Sequence, residues 1–204
     1  FIGFLAFLIF GSSHLPQYRR ARQHAMNDLI RETTGGTPQL TDSDGLNEAT
    51  LVASQLNYKL GSLPLVGGNS FTLHNDNHEA MRIMAQEVNK AQRYVHFEFY
   101  ITAYDEASKV LWDALFAAQK RGVRVRVLID HIGSRKYPSY RQLTKMLNES
   151  GIEWRLMLPI KPWRLQWQRP DLRNHRKVLV IDGAVAFSGS QNAIHRSYDL
   201  KENV

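Results

Sequence analysis

A chain of 204 residues is long enough for one domain with a substantial core plus an appendage, and its 43% apolar content excludes a protein embedded mostly in a membrane. The formal charge of +7 points to an anionic partner, either nucleic acid or an acidic lipid surface, and does not by itself choose between them. The absence of cysteine excludes a disulfide framework and any thiolate metal site.

The first ten residues, Phe1 to Phe10, are apolar throughout apart from Gly3. At about 1.5 Å per helical residue they cover about half of a bilayer core, which needs roughly 20 residues. Residues 1–11 therefore read as the C-terminal part of a transmembrane helix, with no basic leader and small-residue cleavage site to favour a signal peptide. Arg19, Arg20 and Arg22 follow, and basic flanks favour the cytoplasmic side. Residues 12–39 form a basic juxtamembrane linker, read either as a helix on anionic headgroups or as a solvated connector. The breaker cluster Thr33-Thr34-Gly35-Gly36-Thr37-Pro38 marks its end, and residues 40–204 make up the remaining domain. There a weakly helical stretch, Leu46 to Leu60, leads through Gly67-Gly68-Asn69 to an expected short strand from Ser70 to His74.

Helix and strand then alternate. Glu79 to Gln92 carries Ala80, Ile83, Met84, Val88 and Ala91 at helical spacing, with Asp76 or Asn77 as cap. Tyr94 to Ile101 alternates strictly, with Val95, Phe97, Phe99 and Ile101 on one face and Tyr94, His96, Glu98 and Tyr100 on the other. A helix from Glu106 to Arg121, a strand from Val123 to Ile129, a helix from Ser139 to Glu149 and a strand from Ile152 to Leu158 follow. The last two strands, Arg176 to Ile181 and Ala184 to Ser188, are joined by Asp182-Gly183, a dipeptide favoured in tight hairpins. Strands alternating with helices of this length imply an α/β sheet covered by helices.

The chemistry concentrates in Asn174-His175-Arg176-Lys177, the apolar run to Ile181, Asp182-Gly183, and Gly189-Ser190-Gln191-Asn192. On a strand, side chains at i and i+2 share a face, so His175 and Lys177 are expected to point into one pocket. Such a pair can hold a phosphate with a nucleophile beside it and needs no metal. A neutral imidazole can attack phosphorus, and a fixed ammonium neutralises the oxygens as charge shifts. Asp182 has the opposite parity, so it is expected to cap backbone amides at the corner and shape the motif without touching substrate. Ser190 and Asn192 are candidate donors to phosphate oxygens. Glu98, an acid in an otherwise apolar run, holds a histidine's far nitrogen or a lysine in one reading and forms a structural ion pair in the other. Asp130 ends a strand, where open α/β sheets place their sites, and a helix-capping role fits it equally. Trp154, Trp163 and Trp167 lie among arginines and lysines, a composition suited to a headgroup interface or to stacking on single-stranded nucleic acid, with the apolar start favouring lipid and core packing as the plain alternative.

The spacing His-x-Lys-x4-Asp followed by Gly-Ser-x-Asn resembles the signature of the phospholipase D superfamily, and the blocks Val95 to Ile101 and Arg121 to Ser134 resemble its bacterial cardiolipin synthase branch. The resemblance implies an α/β fold with a phospholipase D-like mixed sheet flanked by helices, preceded here by the end of a transmembrane helix. It implies His175, Lys177 and Asp182 as the catalytic motif, Ser190 and Asn192 as phosphate ligands, Glu98 as a supporting residue, and no cofactor or metal. The implied reaction is phosphatidyl transfer between two phosphatidylglycerol molecules through a phosphohistidine, at the bacterial inner membrane with the domain facing the cytoplasm. Enzymes of this family use two such motifs, whereas this chain carries one. The expected partner is a second motif-bearing half in the same longer chain or in a twin subunit. The alternative is a nuclease or phosphodiesterase of the same superfamily acting as a single-motif dimer, and the apolar start and the Arg121-to-Ser134 block favour lipid over nucleic acid.

Overall fold

The computed structural model describes residues 3–4, 7, 17–36, 45–61, 63–137, 139–160 and 173–199. The chain divides into two compact units, residues 1–72 and 73–204.

The first unit contains α1 (Gln17–Thr34) and α2 (Glu48–Gly61). Asn47 caps α2, its Oδ1 accepting the Thr50 backbone N–H at 2.9 Å. Among the described residues no helix is long and apolar enough to cross a membrane, and the expected membrane segment at 1–11 lies almost entirely outside the described residues. The strand expected from Ser70 to His74 does not form: these residues pair with no strand. The reason is visible in Phe71 and Leu73, which are 86% and 80% exposed and so lack the half-buried surface that sustains a strand.

The second unit opens with α3 (Asn77–Lys90), whose N-cap Asp76 accepts the Glu79 N–H at 2.7 Å. The cap starts the helix two residues ahead of the expected Glu79, and Ala91 ends it by turning extended (φ −55°, ψ 135°). Then come β1 (Tyr94–Phe99), α4 (Lys109–Lys120), β2 (Arg124–Asp130), α5 (His131–Arg135), α6 (Tyr140–Glu149), β3 (Glu153–Met157), β4 (Lys177–Ile181), β5 (Val185–Ser188) and a 3₁₀ turn at Arg196–Asp199. The helix expected from Glu106 begins at Lys109, because Asp105 and Ser108 first close a reciprocal turn. Ser108 N–H donates to Asp105 Oδ1 at 2.9 Å and Asp105 N–H to Ser108 Oγ at 3.1 Å. The one-turn helix α5 has no counterpart in the sequence reading; five residues are too few to carry a periodic signal.

The strands form one mixed sheet in the order β3-β2-β1-β4-β5. β1, β2 and β3 run parallel, β4 runs against β1, and β5 against β4. The alternation in β1 resolves as expected, with Val95, Phe97 and Phe99 buried against α3 and α4. Val125, Val127 and Ile129 of β2 and Leu179 and Ile181 of β4 complete that face. Trp112 of α4 is fully buried with its ring 5.0 Å from that of Phe97 and tilted 50° to it, and its indole N–H donates to the Ala103 carbonyl at 2.8 Å. The core thus anchors the segment that leaves β1, which also carries one wall of the site below.

Candidate active site

Because β4 is antiparallel to β1, its first residue lies beside the last residue of β1: Lys177 pairs with Phe99. Residues 173–176 precede the strand and have no ladder of their own, apart from the Tyr100 N–H that donates to the Arg176 carbonyl at 3.1 Å. Strand alternation therefore does not reach His175, and its convergence with Lys177 arises another way. The His175 imidazole stacks on the ring of Tyr100, centroids 3.9 Å apart and planes 18° from parallel. The Lys177 ammonium lies 5.6 Å from the same ring's centroid and donates to the His175 carbonyl at 2.6 Å. Both groups thus meet at Tyr100. His175 remains exposed, open to an incoming group. Lys177 leaves the strand on the core face beside Phe99, and the resulting loss of solvent lowers its pKa from the ordinary lysine value.

Two consecutive side chains, Arg173 and Asn174, hold the approach to the motif. The Arg173 guanidinium, 3% exposed, pairs with the fully buried Asp130 (Nη2 to Oδ2 2.7 Å, Nε to Oδ2 3.0 Å) and donates to the Leu158 and Met157 carbonyls at 2.9 and 3.3 Å. Asp130 also caps α5, accepting N–H from Ile132 and Gly133 at 2.9 and 2.8 Å. Asn174 donates through Nδ2 to Glu98 Oε1 at 2.8 Å and accepts the Arg176 N–H at 3.0 Å. Among the described residues, Glu98 grips the Asn174 amide, where the sequence offers a histidine, a lysine or an ion pair. On its other side Glu98 borders a recess of about 340 Å³ on the outer sheet face, with His96, Arg126, Glu153 and Arg155 among the lining residues. Burial, then Arg126 and Arg124, lowers the His96 pKa.

Asp182 stands at the far end of β4, roughly 17 Å from Lys177 at about 3.4 Å per residue. Its carboxylate accepts backbone N–H groups from Gln92, Arg93 and Tyr94 at 2.8, 2.9 and 2.8 Å. These bonds span the gap to the start of β1, where the sequence reading has a local Asx cap. Asp182 and Gly183 both adopt positive φ (54° and 72°), and the Ala184 N–H closes the hairpin turn onto the Ile181 carbonyl at 3.0 Å. Amide donation, led by Gln92 and Tyr94, pulls the Asp182 pKa down.

β5 returns the chain to the end of the sheet that carries His175 and Lys177: Ser188 pairs with Val178, and Ser190 follows in an exposed bend. Asn192 is buried, with Oδ1 accepting the Ile101 N–H at 3.2 Å and Nδ2 donating to Tyr198 Oη at 2.9 Å. It ties the bend to the segment that carries Tyr100. The fold thus gathers His175, Lys177, Glu98 and the 189–192 bend at one end and leaves Asp182 at the other. Trp154 is half-buried against the core, its N–H on Asn148 Oδ1 at 3.0 Å, while Trp163 and Trp167 lie outside the described residues. Among the described residues no group of three or more His, Cys, Asp or Glu side chains is placed to hold a metal ion. In the sequence Arg173 carries no signal, Asn174 and Gly133 stand inside blocks without a role of their own, and Tyr100 is placed only as an outward strand residue.

Residues 84–204 match the model of the family described as cardiolipin synthase, phospholipase D-like domain. The chain belongs to that family. Among curated proteins, this cardiolipin synthase-type chain is 31% identical over 196 residues to a cardiolipin synthase of Geobacillus thermodenitrificans, which covers 94% of this chain and 38% of that protein. It is 30% identical over 205 residues to the major cardiolipin synthase ClsA of Bacillus subtilis, covering 94% of this chain and 40% of the relative. The chain thus spans about two fifths of the length of the curated relatives it matches. Among solved structures it resembles Nuc, a phospholipase D family member from Salmonella typhimurium, at 23% identity and a TM-score of 0.42, over 55% of this chain and 64% of that one.

Proposed function

We propose that the complete protein containing this chain is a phosphatidyltransferase that makes cardiolipin from two phosphatidylglycerol molecules. The observation that carries this reading is the meeting of the His175 imidazole and the Lys177 ammonium at one exposed site, at the motif end of a chain in the cardiolipin synthase family. In the first half-reaction a ring nitrogen of neutral His175 attacks the phosphodiester phosphorus. The bond to the glycerol oxygen breaks, and a proton from the second motif's acid goes to the leaving alkoxide. In the second, the hydroxyl of another phosphatidylglycerol attacks the phosphohistidine and gives its proton back to that acid, and the P–N bond breaks. Lys177 offsets the phosphoryl charge throughout, and Ser190 offers a hydroxyl from the neighbouring bend. Asn192 holds that bend through Ile101 and Tyr198, and Asp182 fixes the start of β1 relative to the hairpin. No cofactor enters these steps.

The second motif belongs to the remainder of a longer chain or to a twin subunit. The same reading takes residues 1–11 as the end of a membrane anchor, 12–39 as a basic linker lying against the inner membrane, and 40–204 as a catalytic half-domain facing the cytoplasm. The test offers the purified full-length protein radiolabelled phosphatidylglycerol in vesicles and, separately, supercoiled plasmid. Labelled cardiolipin with stoichiometric glycerol, lost in His175→Ala, supports the proposal. Nicked plasmid with untouched lipid overturns it in favour of a nuclease.

A further inference from the structure

We infer that Tyr100 is a positioning residue for His175 and that Gly133 lacks a side chain so that Tyr100 can serve as one. This rests on the proposed nucleophilic role of His175. His175 is exposed and lies ahead of β4, so neither core packing nor strand pairing fixes its rotamer. An exposed side chain of this kind samples several staggered wells, and only some aim the ring at a substrate phosphorus. The contact that selects one is the stack on Tyr100, at 3.9 Å and 18°. A platform of this kind works only if it is itself held.

Tyr100 is held from several sides. Its N–H is bonded to the Arg176 carbonyl, one residue beyond the histidine. Its carbonyl accepts the Ser134 hydroxyl at 3.4 Å, and that hydroxyl also accepts the Thr102 N–H at 3.1 Å. Its ring lies against the backbone of Gly133 in α5. A Cβ on Gly133 would stand 2.5 Å from the Tyr100 carbonyl oxygen and 2.9 Å from Cε2, closer than real contacts allow. Gly133 has an ordinary helical φ, so the constraint is close approach and not backbone strain. The helix that presents Gly133 is pinned by Asp130, whose other partner, Arg173, lies two residues before His175. Gly133, Tyr100 and His175 thus form one stack whose two ends are both tied to Asp130.

The test uses the full-length protein with phosphatidylglycerol vesicles and four variants: Tyr100→Leu, Tyr100→Phe, Gly133→Ala and His175→Ala. Tyr100→Leu and Gly133→Ala should lower kcat about 10- to 100-fold with KM within about threefold, the signature of a misaimed group. Tyr100→Phe keeps the ring and should retain kcat within about threefold. The rate at which diethyl pyrocarbonate modifies His175, mapped by peptide mass spectrometry, should change in Tyr100→Leu and not in Tyr100→Phe; a residue that only stabilises the fold would leave it unmoved in folded protein. Wild-type kcat in a folded Tyr100→Leu or Gly133→Ala variant overturns the inference, as does an equal loss in Tyr100→Phe. Full turnover in His175→Ala overturns the underlying functional reading instead. If His175→Ala is inactive while Tyr100→Leu is fully active, the functional reading stands and the positioning role is gone.

Discussion

Asp182 and Tyr94 are joined twice. The Tyr94 N–H donates to the Asp182 carboxylate at 2.8 Å, and the Asp182 N–H donates back to the Tyr94 carbonyl at 3.0 Å. With Gln92 and Arg93 also donating to the carboxylate, one side chain gathers three successive amides at the start of the central strand and locks them to the β4–β5 hairpin.

That arrangement sets a pH dependence with a definite sign. Because donation lowers the folded-state pKa of Asp182, its contribution to stability is complete above the unfolded carboxylate pKa of about 3.9 and is lost as pH falls through the lower folded value. Asp182→Asn should be less stable than wild type at neutral pH, and the gap should narrow below about pH 4. Thermal denaturation of both proteins from pH 7 to acid tests this; a gap that is constant or widens toward acid contradicts it.

Lys177 carries the opposite kind of shift. Burial disfavours its ammonium, so the proton leaves at a lower pH than from a free lysine, ordinarily near 10.4. If the charge is needed for turnover, the alkaline limb of the kcat profile of the full-length enzyme falls below that value. Lys177→Arg keeps a charge across the range and should push the limb upward while reducing turnover. An alkaline limb unmoved in Lys177→Arg would assign it to another group.

The Asp130–Arg173 pair is buried on both sides, and removing one partner strands the other. Asp130→Asn or Arg173→Met should each cost about 3–5 kcal/mol of unfolding free energy. The double variant should recover part of that loss, because no lone charge remains. Denaturant titration of the three variants measures it. Strict additivity would show that the pair does not act as a unit.

Glu98 and Asn174 should be coupled in the same sense but through rate. Each alanine variant is expected to lower kcat by about tenfold by loosening the residue next to His175. The double variant should be no worse than either single, since one contact is being removed twice. Multiplying losses would mean that the two act separately.

Much of this fold is legible in sequence because its strongest signals are periodic. Val95, Phe97 and Phe99 alternate, and Ala80, Met84 and Val88 recur at helical spacing, so β1 and α3 are readable to within a few residues. The site is readable only in part. His175 and Lys177 announce themselves by type and spacing, but what unites them is Tyr100, which lies 75 residues upstream and shares no local pattern with them. Arg173 looks like an ordinary charge in a basic chain, and Asp130, readable as a strand-end cap, finds it only when folding brings the end of β2 to the segment ahead of β4. Ser70 to His74 has strand composition but finds no sheet edge, so tertiary context overrides propensity there.

The interval from Lys177 to Asp182 acts as a ruler. Four residues separate the lysine from the aspartate because that is the length of strand needed to reach from one rim of the sheet to the other, with Ile181 opposite Val95 and Lys177 opposite Phe99. One inserted residue would throw every later side chain onto the wrong face and tear the aspartate from its three amides, however far it lay from any reacting atom. The fixed gap in the motif therefore measures the width of the sheet, and a chain that changed it would first lose its register and only then its chemistry.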